Sequence, residues 1–376
     1  MIKQFFVVSA FLFLQIAVLA QGTATNATKE FSAVYSNAYT PVKSQGQTGT
    51  CWSFSTTALL ESQVIKNKPG SLDLSEMFTV RNIYVEKARN YLMRQGSAQF
   101  GEGSLGHDVI RAVATYGVIP EQAYSGLAEG QTVHNHSVLV KELKSYLDSM
   151  LATKPLAAWW LTGFENILDK HLGKLPGAFT YDGKIYTPLS FAKELIKFEA
   201  GDYVNITSFT HKPYYSSFII DVPDNFSNGA YYNLPLDEMM QMVKDALKNG
   251  YTVMWDADVS NNGFRQQNGL ALYLSAEKKY DNINANTTEE KWDAAVRQNL
   301  FENLTTQDDH LMQITGTSLS KEGKTFFTVK NSWGNVGPFN GFINVSDAYF
   351  AINSISLVVP KAGISKLLLD KLQINK

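Results

Sequence analysis

Cys51 is the only cysteine in the 376 residues, so no internal disulfide can form and packing alone must hold the fold. That excludes the small, disulfide-stapled scaffolds common among secreted chains. The N-terminus sharpens the constraint. Lys3 precedes an almost wholly apolar run from Phe5 to Ala20, and Val18 and Ala20 stand at −3 and −1 of a cut before Gln21. This is a signal-peptide pattern. The run is shorter than the roughly 20 residues that a spanning helix needs, and no cysteine follows it for a lipid to modify. Residues 1–20 are therefore expected to be a cleaved leader. The expectation is an exported protein, periplasmic or extracellular, without a stable membrane anchor. A lone cysteine in such a chain is an accident, half of an intermolecular bridge, or a reactive thiol.

Apolar residues make up 44% and charged residues 18%, which suits a folded globular chain. The length allows one large domain or two lobes. Formal charge is −2 with no long basic run, which argues against nucleic acid as a partner. No pattern in the chain calls for a cofactor or a metal. Homo-oligomerisation is left open.

Around the thiol, "KSQGQTG" reads as a loop. From Trp52 onward, Phe54, Ala58, Leu59 and Val64 fall at helical spacing, which ends at Pro69 and Gly70. Cys51 thus belongs at the first turn of a helix, where free N–H groups and the positive dipole end favour a thiolate. A cysteine nucleophile needs a base, a group to orient that base, and an oxyanion donor. His107, His134, His136, His171 and His211 lie in stretches without further catalytic pattern and read as surface or packed histidines. His310 opens a strand-like run in "DDHLMQITGTSL". Some twenty residues on, "KTFFTVKNSWGNVGPFNGFINV" offers two strand-like runs around a turn that carries Asn331, Ser332 and Trp333.

"PVKSQGQTGTCWSFS", "DDHLMQITG" and "VKNSWG…GFINV", in that order, resemble the papain-like cysteine peptidases. The likeness is specific over residues 41–126 and 308–345. It implies an α+β, papain-like two-lobe fold: a helical lobe with the nucleophile and a β-barrel-like lobe with the base. It also implies the roles. Cys51 is the nucleophile, His310 its ion-paired base, Asn331 the orienting group, and Gln45 with the Cys51 N–H the oxyanion donors. Trp333 covers the His–Asn bond, Trp52 supports the site, and Asp309 stands beside the histidine. "GEGSLGHDVIRAVATYGVIPEQAYSG" is similar to the family's substrate loop, with Gly103 and Ser104 set to pair with an extended peptide.

Three departures point to a branch. Thr48 replaces the usual disulfide cysteine. Cys51 and His310 lie 259 residues apart, about 110–125 more than the papain-type spacing. Only 30 residues separate the leader from Cys51, too few for a long inhibitory pro-segment. Together these resemble the bleomycin hydrolase and aminopeptidase C branch. The expected division is a leader at 1–20, a helical lobe at 21–137, an insertion at 138–230, a β-rich lobe at 231–360 and a tail at 361–376. The function implied is peptide-bond cleavage through a thioester, aminopeptidase-like by branch. An endopeptidase of the same fold and a catalytically silent binding protein are the alternatives. An aminopeptidase needs a group that ends the cleft and receives an α-ammonium. The Lys376 carboxylate could serve if the basic, amphipathic tail folded back between the lobes; otherwise Ile364–Ile374 packs outside the cleft.

Overall fold

The computed structural model describes residues 30–68 and 70–374, so the expected leader and Lys376 lie outside the described residues. β1 (Phe31–Ser36) enters first, followed by an extended segment that crosses to α1 (Cys51–Asn67). Everything from Cys51 to Ser62 in α1 is buried, polar residues included. A helix buried on all sides is a central element rather than a surface one. α1 packs against α2 (Glu76–Met93) and α3 (Gly106–Tyr116) on one side and against the sheet on the other. α4 (Ser137–Ala152) and α5 (Trp160–Leu172) extend the same core through Leu139, Leu143, Leu147, Phe164, Leu168 and Leu172. Phe164 of α5 is core and Trp160 packs against it, while Trp159 before the helix is exposed. A small hairpin, β2 (Phe179–Tyr181) and β3 (Lys184–Tyr186), closes on Phe191 of the short helix α6 (Pro188–Phe191).

The sheet follows. β4 (Tyr203–Thr207), β5 (Ser217–Ile219) and β6 (Ala230–Asn233) lead to α7 (Leu236–Lys248) and β7 (Val253–Ala257). Two short strands, β8 (Phe264–Arg265) and β9 (Leu270–Ala271), and the helix α8 (Ala294–Glu302) precede β10 (His310–Ser320). β11 (Thr325–Lys330), β12 (Phe342–Ser346), α9 (Asp347–Asn353), β13 (Ser354–Pro360) and α10 (Lys366–Lys371) complete the chain. The strand order is β5-β6-β4-β13-β7-β10-β11-β12-β9-β8, with β1 also on β10. The sheet therefore takes β4 and β5 from residues placed in the insertion range 138–230. β7 starts at Val253, after Gly250 at φ 85° turns the chain out of α7.

β10 and its neighbours divide two cores. Side chains alternate across a strand. Leu311, Met254 and Val358 accordingly join the helical cluster, while Met312, Ile314, Trp255, Leu357 and Val359 join a second cluster with α7. Both faces are buried, and β10 accordingly buries the polar side chains of Gln313, Thr315 and Thr317 along with its apolar ones. The lobes are also joined by a buried polar chain. Lys330 Nζ donates to the Thr40 carbonyl (2.8 Å), and Thr40 Oγ1 donates to Glu61 Oε2 (2.5 Å).

The described tail lies on the second cluster. Ile364, Leu368, Leu369 and Leu372 are buried there with Met239, Met240 and Val243 of α7, and Lys371 pairs with Glu238. This is the face of the sheet opposite α1. The packing-outside arrangement is the one found through Ile374.

Candidate active site

Cys51 is the first residue of α1, and Thr50 before it offers no side-chain cap to the free N–H groups of the first turn. Loop chemistry explains the sharp entry. Gly46 has φ 65°, and a Cβ there would run into the His134 carbonyl. The buried thiol lies against the backbone N–H of Leu311, one residue along β10 from His310. The cysteine and the histidine, 259 positions apart, are brought to one junction between helix and sheet.

His310 Nε2 donates to Asn331 Oδ1 at 2.8 Å, which leaves Nδ1 as the free ring nitrogen. Trp333 stacks on the imidazole at 4.7 Å between centroids and 29° between planes, and Phe264 meets its edge. Trp52 is wholly buried, and its indole donates to the Glu102 carbonyl at 2.9 Å. Gln45 is fixed at both ends. Its Oε1 accepts from Ser332 Oγ (2.6 Å) and its Nε2 donates to the Thr48 carbonyl (2.6 Å). One amide hydrogen of Gln45 remains for another acceptor. Asp309 is exposed and accepts from the Val259 N–H at 3.2 Å, contributing only a through-space charge to His310.

The helix end was expected to favour a thiolate, paired with a charged His310. Burial works against both charges: desolvation pushes the Cys51 thiol up and holds the His310 imidazole down. Of Gly103 and Ser104, which the resemblance sets to pair with an extended peptide, Ser104 is fully buried with its hydroxyl on Asp108 Oδ2 (2.7 Å), and the Gly103 carbonyl accepts from Lys87. A Cβ on Gly103 would fall inside the Asp224 carboxylate.

Gln266 was missed by sequence reasoning. Asn331 Nδ2 donates to Gln266 Oε1 (3.0 Å), and Gln266 Nε2 donates to the Val336 carbonyl (3.1 Å). That carbonyl fixes the Gln266 amide, which fixes the Asn331 amide, which fixes the tautomer of His310. No motif surrounds Gln266, so only the fold reveals it. Gln266→Ala is expected to lower kcat roughly tenfold with little change in KM, a fraction of what general base catalysis supplies. Steady-state kinetics on an aminoacyl amide checks this. A rise in KM at constant kcat would contradict it.

Asp308, Asp256 and Asp224 were also missed. They are the charges that the Cys51 thiol feels. Asp256 is fully buried, and Ser356 Oγ donates to its Oδ2 (2.9 Å). Asp256 Oδ1 and both Asp308 oxygens are shut off from solvent, and Asp308 faces the Asp256 carboxyl and the backbone N–H of Asp224. Burial, then Asp224, pushes the Asp308 carboxyl up to about 7. A carboxyl raised in the folded state contributes stability that is present below its unfolded value and lost as pH rises through the folded one. Asp308→Asn is therefore expected to stabilise the protein more at pH 8 than at pH 5, by roughly 2 kcal/mol. Urea unfolding at the two values tests this, and equal effects would contradict it.

Residues 178–375, more than half of the chain, match the model of the Peptidase C1-like family. The chain belongs to that family. Residues 27–88 match the Papain family cysteine protease model as well. This Peptidase C1-like protein is a cysteine peptidase of the aminopeptidase C branch. It is 25% identical over 375 residues to Aminopeptidase C of Streptococcus thermophilus, covering 85% of this chain and 80% of that one. Aminopeptidase G of Lactobacillus delbrueckii subsp. lactis is 24% identical over 373 residues, at 86% and 82% coverage. The crystal structure of pepw from Lactobacillus rhamnosis HN001 superposes with a TM-score of 0.74 at 21% identity, covering 96% of this chain and 92% of that one. The fold is papain-like, as expected.

Proposed function

We propose that this peptidase removes residues from the free N-terminus of peptides, with Cys51 as nucleophile, His310 as base and acid, and Asn331 as the orienting group. The observation that carries the reading is the fixed chain Gln266–Asn331–His310 beside a thiol at a helix N-terminus. His310 Nδ1 takes the thiol proton as sulfur attacks the scissile carbonyl. The tetrahedral oxyanion is received by the Cys51 N–H and the spare amide hydrogen of Gln45. His310 then protonates the leaving amine, and water hydrolyses the thioester by the reverse path. Asn331 Oδ1 holds the imidazolium while it exists, and Trp333 keeps water from that bond. The names of the relatives support the exopeptidase half of the reading. A panel of aminoacyl amides, free and N-acetylated, tests it: equal cleavage of both would favour an endopeptidase. Export belongs to the same reading, on the pattern of residues 1–20. A mature N-terminus at or near Gln21 is the expected mass-spectrometric result, and an intact Met1 in the exported fraction would refute it.

A further inference from the structure

Gln45 is aimed by one peptide group, and that group is gripped at both ends. Gln45 Nε2 donates to the Thr48 carbonyl (2.6 Å). The N–H of the same peptide unit belongs to Gly49, and it donates to Glu102 Oε2 (2.6 Å). The unit is planar, so the direction of the Thr48 carbonyl follows from where the Gly49 N–H points. Gly49 permits the close approach: a Cβ there would lie 3.0 Å from the Glu102 Cβ. Glu102 holds the loop a second time, since its carbonyl accepts from the Trp52 indole (2.9 Å). One residue thus fastens the chain two positions before Cys51 and one position after it. The chain has no second cysteine to tie this loop by a disulfide.

The carboxylate is not spent on a neighbouring cation. His136 Nδ1 lies 4.0 Å from Glu102 Oε2, but burial holds that imidazole down at about 4, and the Tyr84 hydroxyl meets Nδ1 at 2.9 Å. Burial raises the Glu102 pKa, and the Gly49 N–H and the Lys87 charge pull against it. A hydrogen bond to a carboxylate is roughly twice as strong as a neutral one. Bonds in a chain also polarise one another. A carboxylate on the Gly49 N–H therefore makes the Thr48 carbonyl a better acceptor for Gln45. Ser332 Oγ holds the other end of the Gln45 amide at 2.6 Å. With both ends held, the one remaining amide hydrogen has a single direction.

Resting on the reading of Gln45 as an oxyanion donor, we propose that Glu102 is a positioning residue for the oxyanion hole. Its carboxylate orients the Thr48–Gly49 peptide, and that peptide aims the free amide hydrogen of Gln45 at the developing charge. Glu102 acts through Gln45 rather than on the substrate.

The test is a double-mutant cycle on leucine coumarinamide, with a second arm by NMR. Gln45→Ala is expected to lower kcat about a hundredfold, the cost of one oxyanion donor. Glu102→Ala is expected to lower kcat about tenfold and to change KM by less than about twofold, since the donor remains but is misaimed. Glu102→Gln, whose amide oxygen can still accept from Gly49, should stay within about threefold of the parent. In the Gln45→Ala background, Glu102→Ala should cost no more than about twofold, because no donor is left to aim. In the second arm, the protein carries isotope-labelled glutamine. The Gln45 amide pair is assigned by its loss in Gln45→Ala, and it should shift in Glu102→Ala. The proposal is overturned if the two losses in kcat multiply, if Glu102→Gln falls as far as Glu102→Ala, or if the Gln45 amide keeps its parental position. Gln45→Ala at the parental rate would overturn it too, by removing Gln45 from the oxyanion hole. The NMR arm needs no turnover, so it decides the matter even if no amide is hydrolysed and the activity assignment itself fails. Circular dichroism identifies any variant that does not fold, and Glu102→Ser then takes the place of the alanine variant.

Discussion

Cys51→Ala protein is expected to retain less than about one-thousandth of the parental kcat/KM on any aminoacyl amide. Removing the nucleophile from a catalytic set that acts as a unit leaves only binding and oxyanion stabilisation, and those residual effects are small beside the whole. No other thiol can substitute, because the chain has none. The fold should survive. The side chain is small, and truncating it costs roughly 1 kcal/mol, the centre of the distribution for single substitutions. Loss of activity with only a slightly lowered unfolding midpoint is therefore the expected pair of results. The same protein should no longer gain mass with an epoxide reagent that labels the parent at Cys51. Labelling of the parent by iodoacetamide without substrate should be slow at neutral pH, because burial works against the thiolate. Undiminished hydrolysis by the variant would end the cysteine-peptidase mechanism as drawn.

The contrast between what could and could not be read from the chain has a physical basis. Cys51, His310, Asn331 and Gln45 sit in short segments whose local grammar is strong. A glycine-rich loop enters a helix, a strand begins at a histidine, and two strands flank a turn. Each of those patterns depends on residues within a few positions, so sequence carries it. Gln266, Asp256 and Asp224 depend on topology instead. Gln266 reaches Asn331 across 65 positions, and Asp224 meets Gly103 only because residues 221–229 dock on α3. The pull of burial on the thiol escapes the sequence for a related reason. The helix N-terminus is a local feature, whereas the desolvation that opposes it is imposed by every element packed over Cys51. The place of β4 in the sheet is likewise non-local, because the strand is short and gains its position by pairing beside β13. Local consistency identifies a fold, and the places where it fails tend to be where function resides. Glu102 is such a place here: its carboxylate reaches the Gly49 N–H across 53 positions.

Arg297→Met is expected to destabilise the protein by about 3–5 kcal/mol, the range for breaking a buried polar pairing from one side. Arg297 is buried in α8, and among the described residues its acceptors are backbone carbonyls rather than a carboxylate. Its Nε donates to the Ser208 carbonyl (2.7 Å) and its Nη1 to the carbonyls of Ala351 (2.9 Å) and Ile352 (3.3 Å). The last two belong to the end of α9, where carbonyls lack intrahelical partners and the dipole is negative. Phe209 lies 4.6 Å below the guanidinium. Burial lowers the Arg297 pKa to about 9, which still leaves it charged at neutral pH. Methionine would fill much of the volume but satisfy none of the three carbonyls, each costing roughly 1–3 kcal/mol when left bare. Relief of a buried charge offsets part of this. Since whole domains are stable by only about 5–15 kcal/mol, the urea midpoint should fall far. The site should feel it first. α8 leads into the loop that delivers His310, where the Gln307 N–H is held by Asp258 Oδ2 (2.9 Å) and the Asp258 N–H by the Asn353 carbonyl (2.9 Å). Activity should therefore be lost at lower urea than secondary structure, and Arg297→Lys, which restores some donors, should fall between. A methionine variant within 1 kcal/mol of the parent would mean that water replaces the guanidinium at those carbonyls, and that α9 is held by its packing rather than by Arg297.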